Sequence, residues 1–199
     1  GKKILYVSGE ESVEQIKMRA TRLLGKKGKE NDNLLLVSVT NPDQAIAQIE
    51  DLRPALVIVD SVQTMQSGNV AGLSGSISQV RYAALHFIKS AKTLQIPLIL
   101  VGHVTKEGMV AGPMVLSHMV DTVLFLEGEK FSKTRILRSL KNRFGPLDEV
   151  GLFLMEEEGM IEVTNPEQLF LSRESEDAPG SVLVATMEGS RAFLVEIQA

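Results

Sequence analysis

Cysteine is absent from the 199 residues, which excludes disulfides and thiolate metal sites within them and fits a reducing compartment. No apolar run approaches the roughly 20 residues that a membrane-crossing helix needs. No secretory leader is visible, because Gly1-Lys2-Lys3 runs straight into a short strand pattern with no small-residue cleavage site behind it. Long polar tracts are missing as well, and a chain with 44% hydrophobic and 23% charged residues is a folded one. Positive charge is not in excess: 21 Lys and Arg stand against 25 Asp and Glu, for a net charge of −4. A protein that binds nucleic acid with its whole surface is usually basic. Composition by itself therefore disfavours DNA binding, and any such contact has to come from local patches or from a ring of subunits. Also missing is the phosphate cradle G-x-x-x-x-G-K-[ST]. Gly25-Lys26-Lys27-Gly28 does not supply it, since its spacing is wrong and no strand leads directly into it.

What is present is a regular alternation. Apolar runs at residues 4–8, 34–38, 56–60 and 97–101 read as strands. Helical patterns lie between them, at 12–24, 41–52 and 76–95. Ser12 with Gln15 three residues on forms a capping box, and Val13, Ile16, Ala20 and Leu23 form one apolar stripe. Asn41 followed by Pro42 marks the start of the second helix. On the third, Ile77, Val80, Ala84, Phe87, Ile88, Ala91 and Leu94 share a face. Continuous apolar strands separated by helices imply an α/β fold with a mainly parallel sheet covered on both sides. Beyond residue 120 strands follow one another with short turns, as in an antiparallel extension of that sheet. Polar residues at 173–180 break the pattern and read as a linker. Two strands of a further, incomplete unit follow at 181–199, which leaves 1–172 as the core.

In an open parallel sheet, ligands bind beyond the carboxyl ends of the strands. Four such ends carry polar groups here: Ser8-Gly9-Glu10-Glu11, Ser38-Val39-Thr40, Asp60-Ser61 and Gly102-His103. Four apolar residues ending in Asp60 have the form of a Walker B strand, whose carboxylate holds Mg²⁺ through its water shell. Many buried strands end in Asp as a helix cap, and that reading is equally open. Glu10 or Glu11 can orient an attacking water, or can simply favour the first turn of the next helix; Glu10 lies nearer the strand end. His103 can sense a γ-phosphate, although a lone His is more often an ordinary hydrogen-bonded residue. His86 and His118 have weaker cases, and no metal triad is suggested. Lys141 and Arg143 are two apart on an extended segment and so share a side. They can reach a neighbour's triphosphate, or can form a solvated basic turn.

Five stretches, taken in order, resemble one family. They are residues 5–12 (LYVSGEES), 59–64 (VDSVQT), 101–108 with 111–113, 141–145 (KNRFG), and 184–189 with Arg191. The chain resembles the RadA (Sms) family of bacterial RecA-like ATPases and their plant-organelle relatives over essentially its whole length. KNRFG is the most particular of these signals.

The resemblance implies a RecA-like P-loop NTPase core followed by the first strands of a domain shaped like part of Lon protease. It also implies that the Cys-rich zinc finger and the Walker A loop lie outside this stretch, so that the chain alone hydrolyses ATP poorly. By position it implies Asp60 as the Mg²⁺ carboxylate with Ser61 beside it, Glu10 as the water-orienting glutamate and His103 as the γ-phosphate sensor. Gln63, Thr64 and Arg81 would face DNA from one loop region, and Thr105 and Lys106 from another. Lys141, Asn142, Arg143, Phe144 and Gly145 would form the motif acting across a subunit interface. The cofactors implied are ATP and Mg²⁺, with zinc only in the finger. The partners implied are single-stranded DNA, branched recombination intermediates, RecA, and further copies in a hexameric ring, with no membrane. The location implied is the bacterial cytoplasm, or an organelle in a plant. The loop at 25–33 is longer and more basic than the family pattern. The competing readings are another RecA-like motor, such as a replicative helicase or a clock-type ATPase, and a non-catalytic binding module. KNRFG and the Lon-like tail argue against the second motor.

Overall fold

A computed structural model describes residues 1–24, 32–103, 112–128, 132–157, 159–164, 181–188 and 191–198. The chain divides into two compact units, Gly1–Val120 and Asp121–Ala199.

The first unit is built on four parallel strands, β1 (Ile4–Ser8), β2 (Leu34–Ser38), β3 (Leu56–Asp60) and β4 (Leu98–Leu100), in the order β2-β1-β3-β4. Register places Ser8 beside both Ser38 and Asp60. Helices α1 (Val13–Leu24), α2 (Pro42–Leu52) and α3 (Ile77–Leu94) connect successive strands, and a short α4 (Gly112–Ser117) follows β4. Their starts follow from local chemistry. Ser12 and Gln15 satisfy each other's backbone N–H groups at 3.3 and 3.0 Å, which is the reciprocal capping box. The Asn41 side chain accepts from the N–H groups of Asp43 and Gln44, with Pro42 in the first turn.

The core lies between the sheet and α2 and α3. Leu5, Val7, Val57 and Val59 from the strands meet Ala45, Ile49, Val80, Ala83, Ala84 and Phe87, with Val62, Met65 and Leu116 closing the cluster. The face carrying Leu5, Val7, Val57 and Val59 is buried, whereas the alternate residues Tyr6 and Ile58 are half-buried and Ile99 is exposed. Two expected stripe positions differ. Leu23 at the end of α1 and Ile77 at the start of α3 are exposed. On α3 the inward place near the start goes to Gln79, which is buried. The region at 105–117, expected as a loop, contains α4 at its end.

The second unit holds an antiparallel meander, β5 (Thr122–Glu127), β6 (Thr134–Asn142), β7 (Val150–Glu156) and β8 (Gly159–Glu162), with a register shift between Val123 and Leu124. Expected as an extension of the parallel sheet, these strands pair with one another in a sheet of their own. The two late strands form a hairpin, β9 (Ser181–Glu188) with β10 (Arg191–Gln198), paired from Glu188–Arg191 to Ser181–Gln198. The linker expected at 173–180 lies outside the described residues. Among the described residues, no helix is long and apolar enough to cross a membrane.

Candidate active site

The carboxyl ends of β1, β3 and β4 bring several of the sequence candidates together. Glu10, two residues past β1, accepts a hydrogen bond from the Ser61 hydroxyl at 2.7 Å on Oε1. His103 Nε2 stands 3.3 Å from the same oxygen. Both the glutamate and the histidine side chains remain substantially exposed, whereas Ser61 is fully buried. Asp60 ends β3 and accepts on Oδ2 from the Tyr6 hydroxyl of β1. Burial and then the neighbouring Asp60 carboxylate, as acceptor and as charge, push the Tyr6 phenol well above its ordinary value. The peptide bond between Asp60 and Ser61 is cis.

The neighbouring glutamate behaves differently. Glu11 pairs with Arg19 on α1, so the two adjacent carboxylates divide, one toward the helix and one toward the strand ends. Their turn is set by Ser8, a buried residue whose hydroxyl oxygen accepts from the N–H groups of Glu11 at 2.9 Å and Glu10 at 3.4 Å. Gly9 makes the close approach possible. Its N–H donates to the Asp60 carbonyl at 2.9 Å, and a Cβ there would meet Thr64 Oγ1 at 1.9 Å.

The segment after β3 is tied back to the same strand ends. Gln63 clasps the His103 backbone, donating from Nε2 to its carbonyl at 2.9 Å and accepting from its N–H at 3.2 Å. The Thr64 hydroxyl donates to the Ser61 carbonyl at 2.7 Å. Further on, the Gln79 amide nitrogen donates to the carbonyls of Ser67, Val70 and Gly72, while its oxygen accepts from the Ser67 N–H. Asp43 adds a second anchor, accepting from Ser67 and Asn69 on one oxygen and from Tyr82 on the other. Arg81 lies on the exposed side of α3, where Val70, Ile77 and Leu85 line a shallow apolar groove around it. Gln63 and Thr64 are therefore bonded to the backbone at the ends of β4 and β3, and Arg81 lies on the exposed side of α3. Thr105 and Lys106 lie outside the described residues.

In the second unit, residues 141–145 form the end of β6 and the turn beyond it. Asn142 organises this turn. Its Oδ1 accepts from the Phe144 N–H at 3.1 Å, and its Nδ2 donates to the Pro146 carbonyl at 3.4 Å. A Cβ on Gly145 would come within 2.9 Å of Asn142 Nδ2. Arg143 pairs with Asp121 at 2.9 Å and donates its backbone N–H to the Asp121 carbonyl at 3.1 Å. The Arg143 guanidinium thus has an acidic partner within its own unit and remains more than half exposed. Phe144 is 82% exposed.

No family model matches the chain. The chain is 50% identical over 196 residues to the DNA repair protein RadA of Bacillus subtilis, covering 98% of this chain and 42% of that protein. It is 48% identical to DNA repair protein RadA of Streptococcus pneumoniae, covering 98% and 46% of the two chains. RadA of Listeria monocytogenes is 48% identical over 198 residues, covering all of this chain and 42% of that protein. The chain belongs to the RadA family. It spans less than half the length of these relatives.

As a RadA-family site, the cluster offers oxygen ligands and one imidazole. Among the described residues, no group of three or more His, Cys, Asp and Glu side chains suits a metal ion. A single carboxylate such as Asp60 fits a magnesium ion that brings phosphate and water oxygens with it. His86 bonds the Tyr82 carbonyl at 2.8 Å on α3, away from the carboxylates. Sequence reasoning missed Tyr6 as part of the site and named Ser8 and Gly9 only as part of a polar strand end, without a role. Gly9 and Ser8 stand next to Glu10 in the sequence, but their partners Thr64 and Glu11 become visible only once the turn is folded.

Proposed function

We propose that the chain carries the hydrolytic edge of an ATP site in a DNA-dependent ATPase of recombinational DNA repair. The family name of its relatives supports the repair role. The single observation that carries the hydrolytic reading is the convergence of Glu10, Ser61 and His103 beside Asp60 at three neighbouring strand ends. Glu10 Oε1 is held, which fixes the carboxylate for orienting a water on the γ-phosphate and accepting its proton. Asp60 accepts hydrogen bonds from water around the metal of a Mg²⁺–ATP complex. A magnesium ion held there by Asp60 through water would supply positive charge to offset that of the nucleotide phosphates. His103 contacts Glu10 through its ring and Gln63 through its backbone, so a shift at the phosphate moves the segment after β3.

The same reading assigns that segment and the 141–145 turn to DNA and to a neighbouring copy. Work on branched recombination intermediates and promotion of branch migration beside RecA would then follow from a hexameric ring. A few inward cations per subunit, repeated around a ring, suffice for phosphate contacts while the outer surface stays acidic. The zinc finger and phosphate-binding loop belong to the remaining length of the protein on this reading.

The test uses the full-length protein and measures ATP hydrolysis with and without single-stranded DNA. Turnover should be stimulated by the DNA and should fall at least about 100-fold in Asp60→Ala and in Glu10→Gln, the scale expected for loss of a positioned acid–base group. Wild-type rates in both variants would refute the reading.

A further inference from the structure

Two hydroxyl groups at the strand ends, those of Tyr6 and Ser61, are each bonded to one of the two carboxylates. Tyr6 lies on β1 and donates to Asp60 Oδ2, at the end of β3. Ser61 follows β3 and donates to Glu10 Oε1, beyond the end of β1. The pattern is reciprocal: each strand carries one carboxylate and supplies the hydroxyl that holds the other. Parallel register explains how. Tyr6 pairs with Ile58 and Ser8 with Asp60, so with a side-chain period of two, Tyr6 and Asp60 share a face of the sheet. Ser61, buried completely, is fixed from behind by Thr64, which bonds its carbonyl.

A carboxylate at an open strand end otherwise rotates freely among several orientations, and the oxygen that meets the reactants changes with it. Both contacts of Glu10, from Ser61 and from His103, fall on Oε1. That assigns Oε2 to the reactants. At Asp60 the Tyr6 hydroxyl takes Oδ2, which assigns Oδ1.

We propose that Tyr6 and Ser61 are positioning residues, a crossed hydroxyl brace in which each holds one oxygen of the carboxylate on the adjacent strand. Tyr6 acts through Asp60 on the metal-bearing side of the nucleotide, and Ser61 acts through Glu10 on the attacking water. The inference rests on the hydrolytic reading of Glu10 and Asp60. It divides the two hydroxyls by the kinetic parameter each controls.

The experiment is a magnesium titration of ATP hydrolysis in the full-length protein. Tyr6→Phe should raise the Mg²⁺ concentration for half-maximal rate about fivefold and leave kcat at saturating Mg²⁺ within about twofold, because metal excess restores the site. Ser61→Ala should lower kcat about tenfold, the effect of roughly one lost orienting bond, with the Mg²⁺ midpoint and the KM for ATP unchanged. If the alanine variant fails to fold, Ser61→Cys keeps the size and weakens the donor, and should show the same kcat loss. A merely structural hydroxyl would lower thermal stability and move kcat and the Mg²⁺ midpoint together, or move neither. Either result, obtained while Glu10→Gln and Asp60→Ala still abolish turnover, overturns the brace alone. Full turnover in Glu10→Gln and Asp60→Ala overturns the hydrolytic reading and the brace with it.

Discussion

Gly9 sits where β1 gives way to the Glu10 turn, and adding one methyl group there tests how tightly the strand ends are joined. A Cβ at this position would lie 1.9 Å from Thr64 Oγ1 and 2.8 Å from Thr64 Cβ. Carbon and oxygen cannot approach so closely, so the segment around Thr64 has to move away from β1. The backbone of Gly9 lies outside the left-handed region, and alanine can adopt it, so the effect is one of space and not of conformation. Overpacking of this kind costs about 2 kcal/mol. For a unit the size of Gly1–Val120, that corresponds to a Tm lower by about 8 °C. Thr64→Ala removes the worse of the two contacts and also the hydroxyl bond to the Ser61 carbonyl at 2.7 Å. The double variant should therefore be more stable than the sum of the single losses implies, with a coupling of about 1 kcal/mol. The assay is urea unfolding of the wild type, both single variants and the double variant, followed by far-ultraviolet circular dichroism. Single-variant losses that add within about 0.3 kcal/mol would show that Gly9 and Thr64 are not in contact and would refute the packing of this turn.

Replacing Gln79 with leucine leaves three loop carbonyls and one N–H without their partner; unfolding should show a loss of about 2–4 kcal/mol, with faster proteolysis between residues 65 and 75. Alkaline pH should act through Tyr6. Its pKa is raised in the folded state, so its contribution is complete below pH about 10 and declines above it, as the unfolded chain releases a proton that the folded chain retains. Tyr6→Phe should flatten the stability–pH curve above that point, and an unchanged slope would count against the Tyr6–Asp60 bond. On the 141–145 turn, Phe144→Ala should change stability by less than about 0.5 kcal/mol because the ring is exposed. Asn142→Ala should cost about 1 kcal/mol by removing the bonds that shape the turn, and equal losses from the two would refute that division.

The parallel layer was legible in the sequence because continuous apolar runs separated by helix signals leave a plain signature. Runs such as Leu56-Val57-Ile58-Val59 stop at a polar residue, and caps such as Asn41-Pro42 mark where the next helix starts. The candidates at the strand ends were legible for the same reason, since the fold rule points to that edge before any contact is known. What stayed hidden were pairings between distant residues. Glu10 and Ser61 are 51 residues apart, and Tyr6 and Asp60 are 54 apart. No local pattern links them, and Tyr6 reads as an ordinary strand residue until its partner is placed. The start of α3 misled for a related reason. Periodicity put Ile77 inside, whereas the structure buries the Gln79 amide there. The segment at 67–72 has backbone groups that no ladder satisfies, and leaving them dry would cost more than exposing one isoleucine.

The basic turn shows the same competition. Spacing by two on an extended segment left Lys141 and Arg143 open to a neighbour's triphosphate or to a solvated basic turn, and β6 ends between them at Asn142. Arg143 then finds Asp121 within its own unit. An exposed ion pair of this kind is worth about 1 kcal/mol or less, so it does not bar the guanidinium from a phosphate. It sets the threshold that a phosphate has to exceed. If the turn acts on a neighbouring copy or on DNA, Asp121→Asn should therefore strengthen that engagement, by releasing Arg143, while barely changing stability. Weaker DNA-stimulated ATP hydrolysis in full-length Asp121→Asn would mean that Asp121 holds Arg143 in its working position and that the pair is part of the device.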